Sequence, residues 1–214
     1  MIALYIDTTS NYLYTAIYKD GNIASEIKEK LNNDLSSFAL PKISEMFEKT
    51  NINIKDIDKI IVVNGPGSFT GIRIGLTIGK TLSWAMKKDI IQISSLEAMA
   101  ISNIRECDFV VPAIDARRNY VYGTIYDVAN KKFVMNEKHI LLQTLEVALE
   151  NLSGSCIFVS NDDIKTKYEV EKYIPNIKKI IDDVINREPI NPHSVDANYL
   201  KLTEAEENKL KEEK

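Results

Sequence analysis

The sequence predicts an α/β fold of two duplicated βββαβα-type halves around one cleft, and three observations carry that prediction. Ile6–Tyr18, IDTTSNYLYTAIY, and Ile114–Tyr126, IDARRNYVYGTIY, are identical at seven of 13 aligned positions. Each copy is an apolar strand ending in aspartate, a polar turn, and a second strand with aromatic residues at alternating positions. The same order of strand-like and helix-like segments follows both copies, which favours duplication over chance. The chain has 214 residues, 44% hydrophobic and 27% charged, so it is globular in composition and long enough to bury a core. The expected organisation is a first half over 1–105, a second over 106–200, and a charged tail over 201–214.

Taken in order, residues 2–7, 12–19 and 22–29 run or alternate apolar and read as strands. Asp20-Gly21 between the last two is a two-residue hairpin turn. Residues 34–49 carry Leu35, Phe38, Ala39, Ile43, Met46 and Phe47 at helical spacing, with Pro41 starting or kinking the helix. Ile60–Val63 is a short continuous apolar run that fits a buried strand. Helix over 71–87, strand over 90–93 and helix over 95–104 follow, the last opened by Ser94-Ser95. In the second half, 109–115, 120–128 and 132–140 read as strands, 143–151 as helix and 156–159 as strand. Less regular elements extend to 184. Glu188–Pro192 is a turn-rich junction, and 193–214 starts as a helix and ends in interleaved Glu and Lys.

Composition excludes several functions. Net charge is −4 with no Lys/Arg block, which disfavours direct binding of nucleic acid. No apolar run approaches the ~20 residues of a membrane span, and the N-terminus reads as a strand rather than a signal peptide. Cys107 and Cys156 form no CxxC pair, and His139 and His193 stand in no HxxxH or HExxH pattern, so neither a disulfide framework nor a metal site is expected. The expected compartment is the cytoplasm.

Two features could meet phosphates. The turns after the duplicated aspartates hold Asp7, Thr8, Thr9 and Ser10 in the first copy and Asp115, Arg117 and Arg118 in the second. Hydroxyls and guanidiniums there could bind an anion, but a backbone cradle requires glycine, and neither turn has one. A degraded nucleotide site is therefore expected, and a working site and simple turn-capping by both aspartates are the alternatives. Gly65, Pro66, Gly67, Ser68 and Thr70 then form a tight strand-to-helix loop, with Ser68 or Thr70 as N-cap. It lacks the Lys-Ser/Thr of a P-loop and the spacing of a dinucleotide fingerprint, so it is a structural turn or a simple helix-terminus anion site. No nucleophile–base–orienter set is visible, and Tyr120, Tyr122 and Tyr126 read as strand packing.

Gly71, Gly75, Gly79 and Ser83 recur at spacing four on the 71–87 helix. Each interior glycine costs about 1 kcal/mol against alanine, so the stripe implies close approach of another element. Spacing alone leaves open whether that element lies in the chain or in a partner. A partner is the expectation, with Leu35, Phe38 and Met46 of the 34–49 helix completing the interface.

Gly65–Lys80, GPGSFTGIRIGLTIGK, and Ile93–Ala100, ISSLEAMA, closely resemble the TsaB (YeaZ) family. Asp7-Thr8-Thr9 and Asp115–Arg118 match as well, and the likeness covers about residues 1–128. Asn198–Lys201, NYLK, resembles a remnant of the family's Pro-x-Tyr-Leu-Arg. Leu35–Pro41 stands where relatives have His-Ser-Glu-x-Leu-Leu-Pro, without that His and Glu. The resemblance implies an actin/Hsp70/sugar-kinase-like (ASKHA) fold and a part in making threonylcarbamoyladenosine beside the tRNA anticodon. It implies a noncatalytic subunit that pairs with a catalytic TsaD-like paralogue and a TsaE-like ATPase and meets tRNA only indirectly. No tightly bound cofactor is expected, although ATP or ADP could sit at the partner interface, and a homodimer could form when the paralogue is absent. The competing classes are an M22-type peptidase and an ATP-dependent enzyme of the same fold, each acting alone.

Overall fold

The computed structural model describes residues 1–31 and 34–201. In the first half, β1 (Ile2–Asp7), β2 (Tyr12–Lys19) and β3 (Asn22–Lys30) form an antiparallel meander, followed by α1 (Leu35–Thr50), β4 (Lys59–Val63), α2 (Phe69–Met86), β5 (Asp89–Ile93) and α3 (Ser95–Ser102). The second half repeats this with β6 (Phe109–Asp115), β7 (Tyr120–Asp127), β8 (Lys132–Leu141), α4 (Leu142–Glu150), β9 (Cys156–Ser160), β10 (Val170–Lys172) and α5 (Ile177–Val184). The sheets have matching orders, β3-β2-β1-β4-β5 and β8-β7-β6-β9-β10. In each, the first three strands pair antiparallel and the last two join in parallel. The difference lies between β9 and β10, where residues 161–169 cross without a counterpart of α2.

Local chemistry explains the elements. Asp20 and Gly21 both take positive φ, as the twist of a two-residue hairpin demands. Equivalent bonds close the duplicated turns: Thr9 N donates to Asp7 Oδ1 at 2.9 Å, and Arg117 N to Asp115 Oδ1 at 3.0 Å. Leu31 N and Leu142 N donate to the carbonyls of Asn11 and Asn119, each at 2.9 Å, so the repeat extends to the exits of β3 and β8. Ser68, not Thr70, caps α2 by accepting from Gly71 N, and Ser94 caps α3 by accepting from Glu97 N. Pro41 lies inside α1 on its exposed side, where the bond it cannot donate faces water.

The halves share one core. One apolar cluster joins Tyr5, Ile61, Ile91 and Leu96 of the first half with Val110, Ile157, Ile180 and Ile181 of the second. Helix α3 packs on β6 and β7, α5 packs on β2, and the two helices touch. The outer face of the first sheet is covered by α1 and α2, and that of the second by α4.

Three expectations are corrected. The glycine stripe faces inward. A Cβ on Gly71 or Gly75 would meet Thr8, and one on Gly79 would meet Val62, all closer than 3.0 Å. Gly71, Gly75, Gly79 and Ser83 therefore pack α2 onto β1 and β4 rather than onto a partner. Leu35 and Met46 are buried under α1, and of the apolar α1 residues assigned to an interface only Phe38 is exposed. Finally, residues 195–201 form no helix and run over the first half, with one bond, Asn198 Nδ2 to Glu137 Oε2, reaching the second. After a 3-10 turn at Pro192–Ser194 the chain runs back over the first half, with Lys80 Nζ donating to Val195 O and Asn198 N to Asn64 O, both at 2.7 Å. The tail at 202–214 lies outside the described residues.

Candidate functional site

The carboxyl ends of both parallel strand sets open into one cleft of about 420 Å³. That is where open α/β sheets place ligands. Asp7 follows from β1, Gly67 and Ser68 from β4, Ser95 from β5, Asp115 from β6, Asn161 and Asp162 from β9, and Tyr173 from β10. Of the predicted phosphate residues, Asp7, Thr9, Ser10, Asp115 and Arg117 line the cleft. Thr8 is buried behind it, donating from Oγ1 to Gly71 O at 2.7 Å, and Arg118 lines a separate surface hollow with Lys165. Asn161, Asp162 and Tyr173 were missed. The signal lay in Ser160-Asn161-Asp162, which ends β9 where Asn64-Gly65 ends β4.

The phosphate machinery is occupied from within. Ser68 N donates to Thr9 O, Ser95 N to Gly65 O, Gly71 N to Ser68 Oγ and Thr9 N to Asp7 Oδ1. In the second half, Asp115 N donates to Asp162 Oδ2, Ala116 N to Tyr120 O and Arg117 N to Asp115 Oδ1. Gly67 of the 65–68 loop serves this closure, because a Cβ there would overlap the Thr9 carbonyl. These seven amides, which could otherwise help cradle a phosphate, are thus bonded to the protein itself.

At the floor of the cleft, a relay of hydroxyls leads to Asp7. Ser95 Oγ donates to Thr9 Oγ1 at 3.1 Å, and Thr9 Oγ1 donates to Asp7 Oδ1 at 2.7 Å. Burial raises the Asp7 carboxyl from its ordinary value, against the lowering effect of the two bonds from Thr9. Burial likewise raises Tyr14, Tyr122 and Tyr173, so these remain neutral O–H donors. Among the described residues, no group of three His, Cys, Asp or Glu is placed to hold a metal ion.

The raised Asp7 value has a testable sign. The folded protein holds this proton more tightly than the unfolded chain. That stabilising contribution is complete below the ordinary aspartate range and is lost as pH rises through the raised value. Asp7→Asn keeps an acceptor for Thr9 and abolishes the titration. The variant should melt above wild type near pH ~8, and the gain should shrink toward pH ~4. A melting series of both proteins across that range checks it.

Two α/β halves of matching topology, joined through a shared core and facing one cleft, define the actin/Hsp70/sugar-kinase class of fold. The family model for TsaD, tRNA N6-adenosine threonylcarbamoyltransferase, matches residues 24–155. A tRNA threonylcarbamoyladenosine biosynthesis protein TsaB from Bacillus subtilis is 28% identical, over 96% of each chain. Its counterpart from Buchnera aphidicola of Acyrthosiphon pisum is 30% identical, over 86% of this chain and 88% of that one. Pseudomonas aeruginosa YeaZ superposes with a TM-score of 0.74 at 18% identity, covering 92% of this chain and all of that one. A second Pseudomonas aeruginosa structure, described as similar to the peptidase YeaZ, gives 0.81 at 19% identity over 94% and 99%. The chain belongs to the TsaB (YeaZ) family of tRNA threonylcarbamoyladenosine biosynthesis proteins.

Proposed function

We propose that this protein is the noncatalytic, activating subunit of a cytoplasmic complex that places threonylcarbamoyl on the adenosine beside the tRNA anticodon. It pairs with a catalytic TsaD-like paralogue, and a TsaE-like ATPase completes the complex. The single observation that carries this reading is an exposed apolar face on α1 and α2. Leu40 and Phe69 are each half exposed and flank a groove of about 460 Å³ with Ile74 and Ile78, while Phe38 and Trp84 lie exposed on the same two helices. The TsaD model matches a span containing both helices, so a TsaD-like partner would bring an equivalent pair, and the two pairs could close as a four-helix interface. In the paralogue's absence the same face would form a homodimer.

Catalysis belongs to the partner in this reading. Seven amides around the cleft, those of Thr9, Ser68, Gly71, Ser95, Asp115, Ala116 and Arg117, are spent on internal bonds, which supports a chain that holds no nucleotide tightly on its own; in this reading any ATP or ADP sits at the interface with the partner. tRNA is met through the complex, in keeping with the net charge of −4. Reconstitution tests the proposal. With the TsaD-like and TsaE-like proteins of the same organism, ATP, threonylcarbamoyl donor and tRNA, modified nucleoside should form only when this chain is added. The chain alone should neither turn over ATP nor cleave peptides. ATP or peptide turnover by the isolated chain that Asp7→Asn abolishes would overturn it.

A further inference from the structure

The floor of the cleft holds an acceptor that nothing among the described residues uses. Asp7 is only 3% exposed and lines the cleft. Both bonds from Thr9 go to Oδ1, and among the described residues Oδ2 accepts none. A carboxylate oxygen so placed can take a donor from outside the chain through the cleft.

The surroundings select the donor. Asp115 and Asp162 stand on the same walls, and among the described lining residues Arg117 is the one cation. With the amides of Thr9, Ser68, Asp115, Ala116 and Arg117 already bonded, a polyphosphate would meet three carboxylates and fewer backbone donors. The rings of Tyr14, Tyr122 and Tyr173 also line the cleft, with Tyr14 and Tyr173 edge to face at 6.2 Å. Carboxylates among aromatic faces are the chemistry that recognises an organic ammonium ion, through charge-assisted hydrogen bonds and the negative faces of the rings. A bare metal ion is a poorer match, because the described residues bring no three ligands together. The volume of about 420 Å³ lies within the range of small-molecule sites.

We infer that the cleft is a binding site for a small organic cation, whose ammonium group donates to Asp7 Oδ2 while the tyrosine rings and the carboxylates of Asp115 and Asp162 surround it. The site is independent of the α1–α2 face and needs no partner protein.

Titration calorimetry of the full chain with spermidine and with putrescine tests it, with Mg·ADP as the phosphate probe. At least one amine should bind one to one, and Mg·ADP should bind more weakly or not at all. Asp7→Asn, which keeps the fold, should weaken amine binding at least tenfold. Tyr122→Leu, which leaves Asp7 in place, should weaken it several-fold. Glu48→Gln, on the outward side of α1, controls for unspecific attraction to an acidic protein and should change nothing. Binding that Asp7→Asn leaves intact, no amine binding at millimolar concentration, or tighter binding of Mg·ADP would each overturn the inference.

Discussion

Leu40→Asp combined with Phe69→Asp should abolish association with the TsaD-like paralogue while leaving a folded protein. Leu40 and Phe69 are each about half exposed, at 50%, on opposite sides of the α1–α2 groove, and neither belongs to the buried core. Their apolar surface is costly to display unless something covers it. Aromatic and aliphatic anchors at the centre of an interface typically carry about 2 kcal/mol or more each. Placing two carboxylates there should weaken association at least ~100-fold, which corresponds to about 2.8 kcal/mol. The cost to the fold is small. Phe69 loses its stack on Tyr199, at 5.4 Å, and its cation–π contact with Arg73, at 3.7 Å, interactions worth roughly 1 kcal/mol at an exposed site. Sedimentation of wild type and variant with the purified paralogue, beside a melt of each alone, measures both quantities. A double variant that still binds at wild-type affinity would move the interface off these helices. The same variant sedimented alone across a concentration series reports whether the homodimer uses this face.

What could be read in the sequence follows the range of the interactions concerned. The strands, the Asp20-Gly21 hairpin and the Ser94 cap depend on residues close in sequence, and the structure has them within a residue or two of their expected positions. The duplication was legible because two turns separated by over a hundred residues kept the same Asp and Asn. The different fates of the two aspartates were not legible. Asp7 is buried because the 65–68 loop and Ser95 close over the first turn, whereas the second half has no α2 to carry an equivalent loop, and Asp115 stays exposed. The contacts that made the difference, such as Ser68 N to Thr9 O and Ser95 Oγ to Thr9 Oγ1, cross the whole first half. Asn161 and Tyr173 entered the cleft the same way, from strand ends that local pattern could not bring together.

The glycine stripe was legible as a device and misplaced in direction, which leads to a sharp expectation for stability. Successive residues on a helix are 100° apart, so Gly71 and Gly75 neighbour Ile72 and Leu76 rather than opposing them. A core-facing arc of 100° or more takes in both rows, and all four residues are buried together. Gly71→Ala should therefore destabilise the fold although alanine is the better helix former. Its Cβ would collide with the Thr8 carbonyl oxygen, which is backbone and cannot rotate away. The Thr8 hydroxyl donates to the Gly71 carbonyl at 2.7 Å, so pushing the helix outward also breaks a buried hydrogen bond. Overpacking of this kind costs about 1–3 kcal/mol, and the lost bond adds about 1, against a propensity gain of about 1. A net loss of about 2 kcal/mol lowers the melting temperature by roughly 4–8 °C in a chain of this size. Gly71→Leu should leave little folded protein. Gly21→Ala is the control for glycine loss without a steric clash: its Cβ meets nothing within 4 Å, so its penalty comes only from the positive φ. Thermal melts of the three variants decide the matter. If Gly71→Leu melts with wild type and fails only in binding the paralogue, the stripe faces outward and the packing of α2 on β1 is wrong.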